Sequence, residues 1–257
     1  MFEAAMIAAT GLHNQQRRLD TIANNVANVN TTGYKGTRLD FKDALYTSGI
    51  VPGLPRSPEG NQQKGHGVMV AGTTKDFRLG NIQRTERPLD AAIEGEGFFE
   101  LRGENGEFIY TRSGSFNISA EEDGAYLVSS GGLYVMDING ERIRLPDDAE
   151  TIVIEQDGTI RFTDSEGEIP VMLGVYTFRN LTGLLSSGNG NYSETPASGG
   201  KTPAEGALLR QGALEGSNVN LAEEMTRMIR TQRAFQLASR ALSTADEMEG
   251  IANNLRR

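Results

Sequence analysis

At both ends of this chain apolar side chains recur every seven residues, and that pattern restricts the fold more than any other feature. Near the N-terminus Leu12, Leu19 and Val26 form one line, and Ala8, Gln15, Ile22 and Val29 form a second, three residues later each time. Two such lines, with one polar member at Gln15, are the seams of a helix built to lie against another helix. They predict a helix over residues 3–29, with Thr32-Gly33 as its stop. Near the C-terminus Leu221, Met228, Phe235 and Leu242 repeat the spacing, with Met225 and Gln232 between them. The stripe is then expected to drift by one residue to Ala241, Ala245, Met248, Ala252 and Leu255, as a straight helix does against a strict heptad. Asn220 followed by Glu223 supplies the start of that helix, in the pattern of a capping box.

Between the helices the period changes from seven to two. Asn105-Gly106, Asn139-Gly140 and Asp157-Gly158 each sit between short alternating apolar runs, which predicts β-hairpins and an antiparallel β-domain from about residue 76. The stretch 186–200, SSGNGNYSETPASGG, reads as a polar loop closing that domain. Residues 47–75 hold Pro52, Pro55 and Pro58 among many glycines, which excludes a helix and leaves an extended connector or a loosely paired hairpin. The expected fold class is therefore α+β, with N- and C-terminal helices forming a coiled-coil domain and an antiparallel β-rich domain inserted between them. The divisions are 1–46 for the N-terminal helix and turn, 47–75 for the connector, 76–210 for the β-rich domain and 211–257 for the C-terminal helix.

Composition narrows the chemistry. The net charge of −9 argues against nucleic acid and anionic membranes as partners. No cysteine is present, so disulfides and thiolate chemistry are excluded. The two histidines, His13 and His66, lie in a helix and in the Gly/Pro-rich stretch, poor scaffolds for a general base or a metal. Gly95 to Phe99, GEGFF, has no phosphate-binding lysine and reads as a turn feeding a strand. The acidic runs Glu121-Glu122-Asp123 and Asp147-Asp148 read as solvated turns. We therefore expect no enzyme activity, no cofactor and no metal. No apolar run is long enough to span a membrane. With Glu3 where a signal peptide carries a basic residue, export by a conventional cleaved signal is not expected.

Four asparagines, Asn24, Asn25, Asn28 and Asn30, crowd the end of the first helix. A buried amide left without a partner costs about 1–3 kcal/mol, so asparagine in a packed helix selects one register over others. Two readings of the helices follow from the residues. They form an intramolecular hairpin capping the β-domain, or their further apolar residues (Phe2, Met6, Ile7, Ile229 and Leu237) meet other copies of the chain. A secreted β-domain that binds a ligand on an oligomerising helical stalk is a third reading, for which the absence of Trp gives poor support.

The stretch ANNVANVNTTGYK at 23–35 resembles the N-terminal signature of the flagellar axial proteins of rod and hook. GALEGSNVNLAEEMTRMIRTQRAFQLASRALSTADEM at 212–248 resembles their C-terminal signature, and RPLDAAIEGEGFFEL at 87–101 with YTRSGSF at 110–116 resembles their central segment. GYKGTRLDFKDALY and QGALEGSNVNLAEE are most similar to the distal-rod branch, while RPLDAAIEGEGFFEL and ADEMEGIANNL also resemble proximal-rod relatives. The resemblance implies terminal helices paired as an inner coiled coil and a β-rich domain outside it. It implies self-association into a helical tube, contact with neighbouring rod and hook proteins, and passage through the flagellar export apparatus to the basal body. On that basis the residues expected between subunits are Leu12, Leu19, Ile22, Asn24, Asn25, Val26 and Asn28, with Met225, Met228, Phe235 and Leu242.

Overall fold

A computed structural model of the chain describes residues 2–44, 47–48, 63–64, 67–103, 105–121, 124–146, 151–164 and 167–254. It is α+β: one N-terminal helix, an antiparallel β-rich middle and one C-terminal helix. The chain divides into two compact units. One holds Met1–Ala27, Thr37–Thr74 and Asn220–Arg257, and the other holds Asn28–Gly36 and Lys75–Val219.

The helical unit contains α1 (Phe2–Ala27) and α2 (Leu221–Asn254), of 26 and 34 residues. Asn220 caps α2 as its sequence predicts, its Oδ1 accepting from the amides of Ala222 (3.0 Å) and Glu223 (3.3 Å). The helices pack on each other. The last turn of α1 meets the first turn of α2 through Asn25 and Glu224, so they run antiparallel. The region read as connector or loose hairpin is paired wherever it is described. Strands β1 (Thr37–Asp43) and β4 (Val68–Lys75) form a two-stranded ribbon, and β2 (Thr47–Ser48) pairs antiparallel with β3 (Gln63–Lys64). Residues 49–62 and His66 lie outside the described residues, as do Glu122, Asp123, Asp147, Asp148 and Leu255.

The β unit begins with β5 (Ile82–Arg84), β6 (Ala91–Glu94), β7 (Phe98–Arg102), β8 (Phe108–Thr111), β9 (Phe116–Glu121), β10 (Gly124–Ser129), β11 (Tyr134–Val135) and β12 (Arg144–Leu145). It continues with β13 (Thr151–Ile154), β14 (Thr159–Asp164), β15 (Gly167–Met172), β16 (Val175–Phe178), β17 (Leu185–Gly188), β18 (Asn191–Ser193), β19 (Lys201–Pro203), β20 (Leu208–Gln211) and β21 (Ala213–Glu215). The main sheet runs β12-β10-β11-β7-β8-β18-β17, with β9 on β10 and β16 on β7. A second sheet, β13-β14-β15, is built on the Asp157-Gly158 turn, and Asn105-Gly106 joins β7 to β8. In both turns the glycine takes the positive φ that other residues avoid, 82° at Gly106 and 92° at Gly158.

β7 shows how the sequence builds the core. Phe98 to Leu101 are all buried, so both faces of this strand are covered. Phe99 and Leu101 join Ile93, Phe116, Val135 and Phe162 in the larger apolar cluster. Phe98 joins Tyr110, Tyr176, Phe178 and Tyr192 in an aromatic one, with edge-on ring contacts at 4.8 to 6.2 Å. The stretch 186–200 is not the polar loop that its composition suggests. It contains the β17–β18 hairpin, turned by Asn189 (φ 52°) and Gly190 (φ 73°), and Tyr192 within it is fully buried. Two central residues with positive φ are what a tight hairpin turn requires.

Candidate assembly interface

The covered side of α1 follows its heptads. Leu12, Leu19 and Val26 are half-buried, as is Gln15, and Ile22 is buried at 4% exposure. Asn14 and Asn25 lie on a neighbouring flank, about a quarter to a third of a turn away. That flank faces the ribbon: the Asn14 amide donates to the Val68 carbonyl, and Asn25 binds the backbone of Thr37 twice, each at 2.9 Å. The heptad stripe is the side left to α2. Asn25 therefore fixes register within the chain, holding β1 with both amide atoms while its Nδ2 also approaches Glu224 at 3.5 Å. Asn24 is exposed and Asn28, in the turn beyond α1, is half-buried.

On α2 Glu224, Met228, Thr231, Phe235, Ala238, Leu242 and Ala245 are covered, alternately four and three apart, and Ala234 beside Phe235 is half-buried too. Met228, Phe235 and Leu242 are where their spacing puts them. The second line differs from the expected one: Met225 is 49% exposed and Gln232 is exposed, and Glu224 and Thr231 take the covered places. Glu224 is tolerated there because Arg227 Nη1 (2.7 Å) bonds its carboxylate and Asn25 lies close. Of the expected drift to Ala241, Ala245, Met248, Ala252 and Leu255, Ala245 is half-buried, Ala241, Met248 and Ala252 are exposed, and Leu255 lies outside the described residues. Ala238 and Ala245 continue the covered stripe. Met228, Phe235 and Leu242 thus share one side of α2, and Met225 stands apart on a flank with Leu221 and Ile229.

The residues that the sequence argument missed form a buried ion cluster in the β unit. Glu215 is 1% exposed and accepts from Lys35 Nζ (2.6 Å), Arg112 Nε (2.8 Å) and the Gly80 amide (2.8 Å). Lys35 donates also to the Arg78 carbonyl at 2.8 Å. Arg112 reaches the carbonyls of Gly95 and Gly97, at 2.9 and 2.6 Å, which places the GEGFF turn. Asn218 accepts from the Gly36 amide and donates to the Asp76 carbonyl, at 2.8 and 2.7 Å. Burial pushes the Lys35 ammonium below its ordinary pKa, and the Glu215 carboxylate opposes that shift. Gly33 is tied to the same place: its amide donates to the Glu215 carbonyl at 2.7 Å, and its φ is 66°. A Cβ there would stand 2.7 Å from the Ser113 nitrogen, so glycine is required. The cluster thus clamps segment 33–36, where the chain enters the β unit, to segment 213–218, where it leaves. Its three charged members fall in TTGYK, YTRSG and GALEG, the stretches that carried the resemblance, and that was the available signal.

The arrangement offers packing surfaces rather than reacting groups. His13 is exposed on α1. No group of three or more His, Cys, Asp or Glu that could hold a metal occurs among the described residues. No helix, among those residues, is long and apolar enough to cross a membrane.

Comparison with known proteins agrees with this geometry. Residues 6–35 match the flagella basal body rod protein family, residues 92–162 the D1 domain of the flagellar hook proteins FlgE/F/G, and residues 210–255 the C-terminal domain of the flagellar basal body rod FlgEFG proteins. The flagellar basal-body rod protein FlgG of Borreliella burgdorferi is 40% identical over the whole of both chains. FlgG of Bacillus subtilis is 35% identical, again over the whole of both. The flagellar hook-basal body complex protein FlhP of Bacillus subtilis is 30% identical over the same extent. With three family domains matched in order and whole-length kinship above 30%, the chain belongs to the flagellar basal-body rod protein family.

Proposed function

We propose that this protein is a structural subunit of the bacterial flagellar rod, of distal-rod type, located in the basal body and working by polymerisation. One observation carries the mechanism: α1 and α2 pack on each other and still leave apolar side chains uncovered. Met225, Ile229, Leu237, Met248 and Ile251 of α2 and Met6 of α1 are each about half exposed or more. Helices apolar on several faces need several neighbours. In a tube of identical subunits those neighbours are other copies, and the terminal helices wind together as its coiled-coil inner wall.

In this reading 1–46 and 211–257 form the inner domain, 47–75 links it outward, and 76–210 braces the tube from outside. Leu12, Leu19, Ile22, Val26, Met228, Phe235 and Leu242 stiffen each helix pair, while Asn24, Asn28 and Met225 face the next subunit. A stiff tube transmits torque along its axis. Its ends meet neighbouring rod and hook proteins, and the subunit reaches it through the flagellar export apparatus. Assignment to the distal rod rests on the FlgG relatives. The FlhP relative, at 30%, favours a second reading as a proximal-rod or other hook-basal-body component. Deleting residues 1–30 tests the mechanism. The truncated chain should keep a soluble, folded β unit and fail to assemble; completed rods in cells that carry only this truncation would refute the role given to α1.

A further inference from the structure

We infer that the outward face of α2 binds the same face of a second copy in parallel, displaced by two heptads along the helix. This inference rests on the assembly reading above and names the contact that would propagate it. Opposite the side covered by α1, Arg230, Arg233, Leu237 and Arg240 continue to Glu247 and Ile251 on a single three-four stripe, and all six are exposed. Leu237 is 65% exposed and Ile251 61%, with Met248 beside it also at 61%. Arg227 is already held by Glu223 and Glu224, whereas no ion pair to Arg233 or Glu247 occurs among the described residues.

The stripe is polar along its length: basic with one leucine in its first half, acidic with one isoleucine in its second. Such a face repels its own copy in register, where Arg stands against Arg. Displacement by fourteen residues brings Leu237 against Ile251 and Arg233 against Glu247 together. A displacement of seven sets Arg233 against Arg240 instead. Fourteen residues is a rise of about 21 Å. The contact is heterologous, since each copy offers its first half to one neighbour and its second half to another, so it propagates and does not close.

The natural chain has no cysteine, which makes cross-linking direct. Leu237→Cys combined with Ile251→Cys, in the full-length chain under assembling conditions and mild oxidation, should give a ladder of disulfide-linked multimers. Either cysteine alone should give none. Arg233→Glu should slow cross-linking by about fivefold, the equivalent of exchanging one exposed ion pair for a repulsion, and Arg233→Glu with Glu247→Arg should restore it. Both cysteine positions are exposed, so circular dichroism should show an unchanged helix content. Dimers without a ladder would mean a closed antiparallel pair and overturn the inference. So would tubes, visible by electron microscopy, that form with no ladder; the assembly reading would survive that result. Absence of both tubes and ladder would overturn the two together.

Discussion

Glu215→Gln is the sharpest test of the buried cluster. The side chains of Glu215, Lys35 and Arg112 are 0%, 1% and 4% exposed, so water cannot replace what the carboxylate provides. The amide keeps the shape and loses the charge, and its NH2 group turns toward donors. Removing one partner from a buried ion pair costs about 3–5 kcal/mol, because the remaining charge stays desolvated. Glutamine keeps one oxygen, so either Arg112 or the pair of Lys35 and the Gly80 amide loses its acceptor, while both cations lose the countercharge, which places the variant within that range. For a unit of about 150 residues, a loss of about 4 kcal/mol lowers the midpoint of thermal unfolding by roughly 8–16 °C. Lys35→Met should cost less, since it removes an ammonium that burial already disfavours and leaves Glu215 paired with Arg112. Urea unfolding of both variants, followed by circular dichroism, gives the two free energies, with an unchanged slope expected. A loss below about 1 kcal/mol for Glu215→Gln, or an equal loss for Lys35→Met, would refute the argument that a shared buried acceptor holds the segments together.

Asn25→Ala should destabilise the helical unit by about 1–3 kcal/mol, because the amide and carbonyl of Thr37 lose their side-chain partners. Faster hydrogen exchange at Thr37, with the β unit unaffected, is the expected signature. Three of the seven tyrosines should resist ionisation. Burial first, and then the Glu100 charge, hold the Tyr110 and Tyr176 phenols above the ordinary value, and burial holds Tyr192 there too. A phenol whose folded pKa is raised contributes stability that is complete below the unfolded value of about 10 and is lost as pH rises past it. Phenolate absorbance should therefore rise in two stages, the second coinciding with unfolding of the β unit. A single smooth titration of all tyrosines in folded protein would count against the buried aromatic cluster.

The heptads of α1 and the hairpins at Asn105-Gly106 and Asp157-Gly158 were legible because each rests on a local rule that nothing distant overrides. The second line of α2 was not. Hydrophobicity selects Met225, but the covered place goes to Glu224, whose carboxylate finds Arg227 and Asn25; a distant amide made a charged residue acceptable in the seam. The β17–β18 hairpin was hidden because its strands are short and polar, with Tyr192 alone showing that one side is buried. The Lys35–Arg112–Glu215 cluster has no periodic trace. Its members are separated by 77 and 103 residues, and buried charge follows no hydrophobic pattern. Only their presence inside the family-like stretches pointed to them.

The central claim is that the chain works by assembling through its terminal helices. Electron microscopy of the purified full-length protein at high concentration tests it most directly. Hollow helical tubes are expected, with packed α-helices along the inner wall and the β unit outside. A protein that remains monomeric, or that forms only closed dimers with the outer faces of α2 still open to solvent, would contradict it.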